Sequence, residues 1–173
     1  MRALEAPSTN RQPTTVLFID VVGSTDLAAG IGDERWAWLL EEYQALVRRE
    51  LAAWGGQEMD TAGDGLFAVF ADPAAALHFG CALRRAVLPL GMTVRVGAHT
   101  GTCWVAGEKC TGLDVSIGAR LVGIAAADEM LVSSSVRERL YEEAGFGFKD
   151  RGEFELKGVP GPRRLFAAEE VEP

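Results

Sequence analysis

The sequence predicts an α+β domain in which a β-α-β-β-α-β core is extended by further strands, and three local patterns lead there. Residues 16–21 form an apolar run too short for a helix. Residues 33–54 place apolar side chains at helical spacing, and residues 57–70 read as a hairpin folded around Gly63-Asp64-Gly65.

Taken in order, Val16, Leu17, Phe18 and Ile19 lead into Asp20 as a buried strand, and Val21-Val22-Gly23-Ser24-Thr25 turns the chain and opens a helix. Over 33–54 the apolar stripe is Trp36, Leu39, Leu40, Tyr43, Leu46, Val47 and Leu51, with Glu41, Glu42, Arg48 and Arg49 between them; Gly55-Gly56 stops the helix. Residues 57–61 and 66–70 pair across a turn with Asp64 at its tip. Asp72-Pro73 then supplies an N-cap and a proline at the first helical position, for a helix through Ala74, Leu77, Cys81, Leu83 and Val87 that ends at Pro89 and Gly91. Residues 93–101 and 102–106 are expected to form a second hairpin, 114–126 a helix, 130–133 a strand and 136–141 a short helix. Residues 146–156 and 164–168 close the fold as strands around the turn at 157–162. This order is the ferredoxin-like split unit with strands added at its C-terminal end. Residues 1–14 are polar and are expected to be a flexible leader, with one domain over 15–173.

Composition narrows the function classes. At 173 residues, 48% hydrophobic and 24% charged, the chain suits a single core. A formal charge of −8 and a pI near 4.8 argue against a surface devoted to nucleic-acid backbones or anionic lipid, both of which need a broad basic field. Cys81, Cys103 and Cys110 are odd in number and lack CxxC spacing, which favours reduced thiols in a cytoplasmic protein over a disulfide or zinc framework. No stretch is long and apolar enough to span a bilayer.

The chemistry centres on Asp20, at a strand end, and Asp64, in a glycine-flanked turn. Either alone is an ordinary place for an aspartate. In a ferredoxin-like sheet, however, the strand and the hairpin are neighbours, and two adjacent carboxylates are costly without a cation. Hard oxygen ligands select Mg²⁺ or Mn²⁺, and the helix opening beside them offers backbone N–H groups to a phosphate.

Five segments then fall in a familiar order: Phe18-Ile19-Asp20-Val21-Val22-Gly23-Ser24-Thr25, Thr61-Ala62-Gly63-Asp64-Gly65, Val94-Arg95-Val96-Gly97-Ala98-His99-Thr100-Gly101, Gly118-Ala119-Arg120 and Glu155-Leu156-Lys157-Gly158. Over residues 15–168 the chain resembles the class III nucleotidyl cyclase catalytic domains, most of all their bacterial branch whose first metal motif ends in Gly-Ser-Thr. The resemblance implies a lyase that converts a nucleoside triphosphate to a 3′,5′-cyclic nucleotide and pyrophosphate, with two Mg²⁺ or Mn²⁺ ions, in a head-to-tail homodimer. It implies metal ligands at Asp20, Asp64 and the Val21 carbonyl, a phosphate cradle at Val22, Gly23, Ser24 and Thr25, and a triphosphate contact at Arg95. From the partner protomer it implies Arg120 at the α-phosphoryl group, Lys157 at the departing pyrophosphate, and Ser116 where the family commonly has an asparagine that orients the ribose. His99 is expected to pack or hydrogen-bond near the sheet.

The base-reading positions depart from the family. Adenine-selective members carry Lys four positions before the second metal Asp, where this chain has Asp60, and an acidic residue eleven positions before the catalytic Arg, where it has Lys109. Asp60 could accept from the ring donors of guanine or uracil, and Lys109 could donate to a base carbonyl. Adenine specificity and loose selectivity stay open, as does a one-residue shift that puts Cys110 in the slot of Lys109. Two other readings remain: the palm fold of polymerases and diguanylate cyclases, whose Gly-Gly-(Asp/Glu)-Glu-Phe hairpin is absent, and a catalytically silent nucleotide-binding or dimerisation module.

Overall fold

The computed structural model describes residues 11–142 and 145–171. Among the described residues eight strands form one sheet. Along it the order is β2 (Gln57–Asp60), β3 (Leu66–Phe70), β1 (Arg11–Val21), β4 (Val94–Ala106), β6 (Met130–Ser133), β8 (Pro162–Glu170) and β7 (Phe146–Glu155), with β5 (Lys109–Thr111) paired to β4 off this path. The first four in space are antiparallel, in the 2-3-1-4 order of the ferredoxin-like unit. β6 joins β4 in parallel, and β8 and β7 follow antiparallel.

Five helices cover the sheet: α1 (Ser24–Ile31), α2 (Asp33–Trp54), α3 (Pro73–Ala86), α4 (Leu113–Ile124) and α5 (Ser134–Leu140). α2 buries Leu39, Tyr43, Val47 and Leu51, one residue per turn, against the main core cluster with Leu17, Ile19, Val21 and Phe79. Each such side chain contributes about 1.5–3 kcal/mol on burial. α3 begins as its sequence dictates, the Ala74 N–H donating to Asp72 Oδ1 at 2.9 Å.

α4 lies against β1, β4 and β6, burying Ile117 and Leu121 with Leu131, Leu156, Val159 and Leu165. It comes unusually close because glycines face it. A Cβ on Gly97 would lie 2.3 Å from the Val122 backbone nitrogen, and one on Gly118 would lie 2.6 Å from the Val16 side chain.

Two expectations are corrected here. Residues 94–106 form one continuous strand, and the hairpin turns instead at Gly107 (φ 60°), pairing Ala106 with Lys109. Gly101, read as a turn residue, is a packing residue: its Cβ would lie 2.2 Å from the Asp114 carboxyl carbon. Residues 11–14 of the expected leader are paired strand, with Arg11 opposite Trp104 and Thr14 opposite Gly101. Residues 1–10 lie outside the described residues.

Candidate active site

β1 and β3 run antiparallel with Ile19 opposite Leu66, so the next residue of β1, Asp20, and the turn before β3, which carries Asp64, meet at the same end of the sheet. The turn is closed by the Gly65 N–H donating to the Ala62 carbonyl at 3.0 Å, with Gly63 at φ 62°. α2 pins it from below, where Gln44 Nε2 donates to the Gly63 carbonyl at 3.3 Å.

Asp20 faces Arg95 directly across the β1–β4 ladder. Arg95 Nε and Nη2 both donate to Asp20 Oδ2, at 3.0 and 2.5 Å. Asp64 is half-buried and has no such partner: its Oδ2 is sealed from solvent with no hydrogen bond. A buried carboxylate oxygen left unpaired costs about 1–3 kcal/mol or more and is a place to look for a cation. Two carboxylates and the Val21 carbonyl form a hard-oxygen donor set, so the residues present fit Mg²⁺ or Mn²⁺.

The segment expected to cradle phosphate is only partly free to do so. Gly23, in the left-handed region at φ 65°, caps α1 without a side-chain hydrogen bond, leaving the first amides of the helix to other acceptors. The Val22 amide is already committed: it donates to the Thr93 carbonyl at 2.8 Å, continuing the β1–β4 ladder, and drops out of the predicted cradle. Asp20 through Asp26 and Arg95 line a depression of about 310 Å³ here.

A second cleft of about 310 Å³ opens beside it, lined by Phe18, Asp20, Asp60, Phe67 and Arg95 from the sheet and by Ala119, Val122 and Gly123 from α4. The Phe18 and Phe67 rings stack within it, centroids 4.4 Å apart. Asp60 thus stands at the rim of the space that Asp20 and Arg95 share. Ser116 and Arg120 lie one turn apart on the exposed side of α4, outside that lining. Arg120 Nε donates to the Lys157 carbonyl at 3.2 Å, which brings Arg120 and the Lys157 turn together. The chain therefore gathers Asp20, Asp64, Arg95 and Asp60 at one place, and Ser116, Arg120 and Lys157 at another. Lys109 is exposed at the start of β5, whereas Cys110 is buried beside Cys103, whose thiol burial pushes up to about 12.

His99 is structural, as expected. It is buried, with Nδ1 2.7 Å from Ser133 Oγ and Nε2 2.8 Å from Asp114 Oδ1, and Asp114 Oδ2 accepts from the Thr102 N–H. Burial holds its pKa below the ordinary value against the pull of Asp114.

One residue of the apolar stripe lies beneath the Asp64 turn. Tyr43 is 1% exposed, and its hydroxyl, like Asp64 Oδ2, has no hydrogen-bond partner. Burial first, then Asp64 and Asp20, raise its pKa, so the hydroxyl keeps its proton at any working pH. The only signal in the sequence was a hydroxyl-bearing side chain in an otherwise apolar stripe.

Among the described residues no helix is long and apolar enough to cross a membrane. The sequence model described as the adenylate and guanylate cyclase catalytic domain matches residues 6–169. A pH-sensitive adenylate cyclase of Mycobacterium tuberculosis is 31% identical over 173 residues, covering 95% of this chain and 43% of its own length. The chain spans less than half the length of the curated relatives it matches. Among solved structures, the adenylyl cyclase CyaB of P. aeruginosa superposes with a TM-score of 0.87 at 23% identity, covering 95% of this chain and 97% of that one. The guanylate cyclase domain of RhGC from Catenaria anguillulae, solved with GTP, gives 0.82 at 16% identity over 93% and 98%. With the family's sequence model spanning nearly the whole chain and the fold superposing closely on a solved member, this protein belongs to the class III adenylate and guanylate cyclase catalytic domain family.

Proposed function

We propose that the chain is an active nucleotidyl cyclase that forms a 3′,5′-cyclic nucleotide and pyrophosphate from a nucleoside triphosphate, as a homodimer with composite sites. The observation that carries the reading is the meeting of Asp20 and Asp64 at one sheet end, with Asp64 Oδ2 buried and unpaired.

Bound Mg²⁺ or Mn²⁺ would acidify the ribose 3′-hydroxyl and neutralise the leaving pyrophosphate. Asp20, Asp64 and the Val21 carbonyl hold the cations. The amides of Gly23, Ser24 and Thr25, at the start of α1, cradle phosphate, and Arg95 exchanges its bond with Asp20 for the triphosphate. Separation of Ser116, Arg120 and Lys157 from this cluster supports their acting on the partner's substrate, across a dimer interface. There Arg120 meets charge developing on the α-phosphoryl group, Lys157 meets the pyrophosphate, and Ser116 orients the ribose. Ser116 is shorter than the asparagine common at this position and holds the sugar less firmly, which makes for a slow enzyme.

Asp60, at the cleft rim, is an acceptor-only side chain and favours a base with ring N–H donors, guanine or uracil; exposed Lys109, and not buried Cys110, is the residue presented as its counterpart. Three free thiols accord with a cytoplasmic setting.

The test is to incubate the protein with equal ATP, GTP, CTP and UTP plus Mn²⁺ and to identify cyclic products by mass spectrometry, with Asp64→Ala as control. A cyclic product from the parent and none from the variant is expected. No cyclic product at any protein concentration would overturn the reading in favour of a catalytically silent module.

A further inference from the structure

Among the described residues a buried polar group without a partner lies beneath the turn that carries Asp64. Among the described residues three buried side-chain polar atoms lack a partner: Tyr43 Oη, Asp64 Oδ2 and Arg163 Nε. Two of the three are neighbours. Tyr43, Gln44, Thr61, Gly65 and Leu66 line one small recess beneath the turn that carries Asp64, and Gln44 bonds the Gly63 carbonyl of that turn. A buried hydroxyl donor thus lies beneath the turn whose carboxylate carries a buried acceptor, and neither has a partner within the protein.

We propose that Tyr43 is a positioning residue for the cation. Its hydroxyl donates to the inward oxygen of Asp64, Oδ2, when the carboxylate swings to bind a metal, and so holds the other oxygen, Oδ1, toward the ion. The inference rests on the reading that Asp20 and Asp64 bind a divalent cation, and goes beyond it in naming what fixes the ligand.

Three features of the chain fit this role. Tyr43 sits in the α2 stripe with Leu39, Val47 and Leu51, so its ring is clamped by core packing and its hydroxyl has little freedom to seek water. Gln44, the next residue of α2, bonds the Gly63 carbonyl, so the helix that carries the hydroxyl also holds the turn that carries Asp64. A tyrosine hydroxyl is a donor at neutral pH. A donor behind a metal-bound carboxylate orients it, and such partners are commonly worth 10-fold or more in metal affinity.

A phenylalanine in this place would keep the packing and remove only the donor. The hydroxyl has no partner among the protein's own groups, so its removal breaks no hydrogen bond within the fold; once it donates to the metal-bound carboxylate, removal does. The experiment therefore compares the parent, Tyr43→Phe and Asp64→Ala, reading Mn²⁺ affinity from the free-ion EPR signal and thermal stability in EDTA. Tyr43→Phe is expected to melt in EDTA at or above the parent's temperature and to bind Mn²⁺ roughly 10-fold more weakly. An unchanged Mn²⁺ Kd overturns the proposal, and so does a weakened one accompanied by a lower melting temperature in EDTA, which would show a purely structural hydroxyl. Failure of the underlying reading is distinct: the parent would bind no Mn²⁺, or Asp64→Ala would bind it as well as the parent, and either result overturns both.

Discussion

Arg95 and Asp20 face each other across the β1–β4 ladder, and both guanidinium donors, Nε and Nη2, converge on the single oxygen Asp20 Oδ2. In this arrangement the side chain proposed to grip the triphosphate is the counter-ion of the side chain proposed to bind metal. The pair is a third exposed on each side, so solvent screens it and its net worth is about 0.2–1 kcal/mol.

Replacing Arg95 by Met separates the two roles. Mn²⁺ binding without nucleotide should tighten by up to about 5-fold, because a competitor for Asp20 is gone. Cyclase kcat/KM should fall by roughly 10- to 100-fold, because a charged hydrogen bond to the triphosphate is lost. EPR titration and steady-state product formation on the same preparation check both; a fall in both quantities would show that Arg95 supports the carboxylate and does not compete for it.

Gly97 is where the sheet admits α4. In Gly97→Ala the new methyl would meet the backbone of Val122 and Leu121, at 2.3 and 2.9 Å, and a helix backbone cannot rotate aside as a side chain can. We expect a loss of about 2–4 kcal/mol in urea denaturation, and weaker nucleotide binding as Ala119, Val122 and Gly123 retreat from the cleft. Gly30→Ala in α1 is the matched control: no neighbour lies within 4 Å of its Cβ, and a gain of about 0.5–1 kcal/mol is expected.

These contacts also show what the sequence could and could not convey. The bounds of α2 and β6 were legible because local signals set them, the Gly55-Gly56 stop for the helix and a short apolar run for the strand. The continuity of β4 was not: Gly101-Thr102 has turn composition, and the glycine's real cause is the Asp114 carboxylate arriving from the start of α4. Asp20 and Asp64 were legible as a pair because strand order follows from the split unit. Arg95 on Asp20, the Thr93 carbonyl on Val22 and the Tyr43 hydroxyl beneath Asp64 depend on cross-strand register or on what packs over a helix face, which no local window contains.

His99 gives the fold a dependence on mild acid. It is enclosed by Asp114 at the start of α4, Ser133 of β6 and Ser135 of α5, with Arg163 of β8 adding an unfavourable positive charge, and burial dominates the sum. Its folded pKa lies below the ordinary 6.5. The unfolded chain therefore takes up the proton first, so stability is full above about pH 6.5 and falls as pH drops toward the folded value. Asp150 and Glu170, also lowered, act only below their ordinary 3.8 and 4.5, outside the interval between pH 5 and 6.5. Urea midpoints at pH 7.5 and 5.5 should converge in His99→Gln and diverge in the parent; equal slopes in the two would refute the assignment.

Base choice is tested by exchanging charges. Asp60 lines the cleft that holds Asp20 and Arg95, whereas Lys109 stands exposed at the start of β5, and the ion pairs among the described residues join neither to the other. If both reach the base in the dimer, Asp60→Lys with Lys109→Asp presents a donor toward adenine N1 and an acceptor toward its N6 amine, while leaving guanine with two misplaced partners. Each charged hydrogen bond contributes ~1.5–3 kcal/mol, so the ratio of cyclic AMP to cyclic GMP formed from equal ATP and GTP should rise by about 10² or more over the parent. Either single change leaves each base with one matched and one misplaced contact, so it should lower cyclic GMP and move the product ratio only part of the way. Should the pair meet only each other across the interface, the double exchange would restore their attraction and return the parent's product ratio, and the base would then be chosen by the shape of the cleft around Phe18 and Phe67.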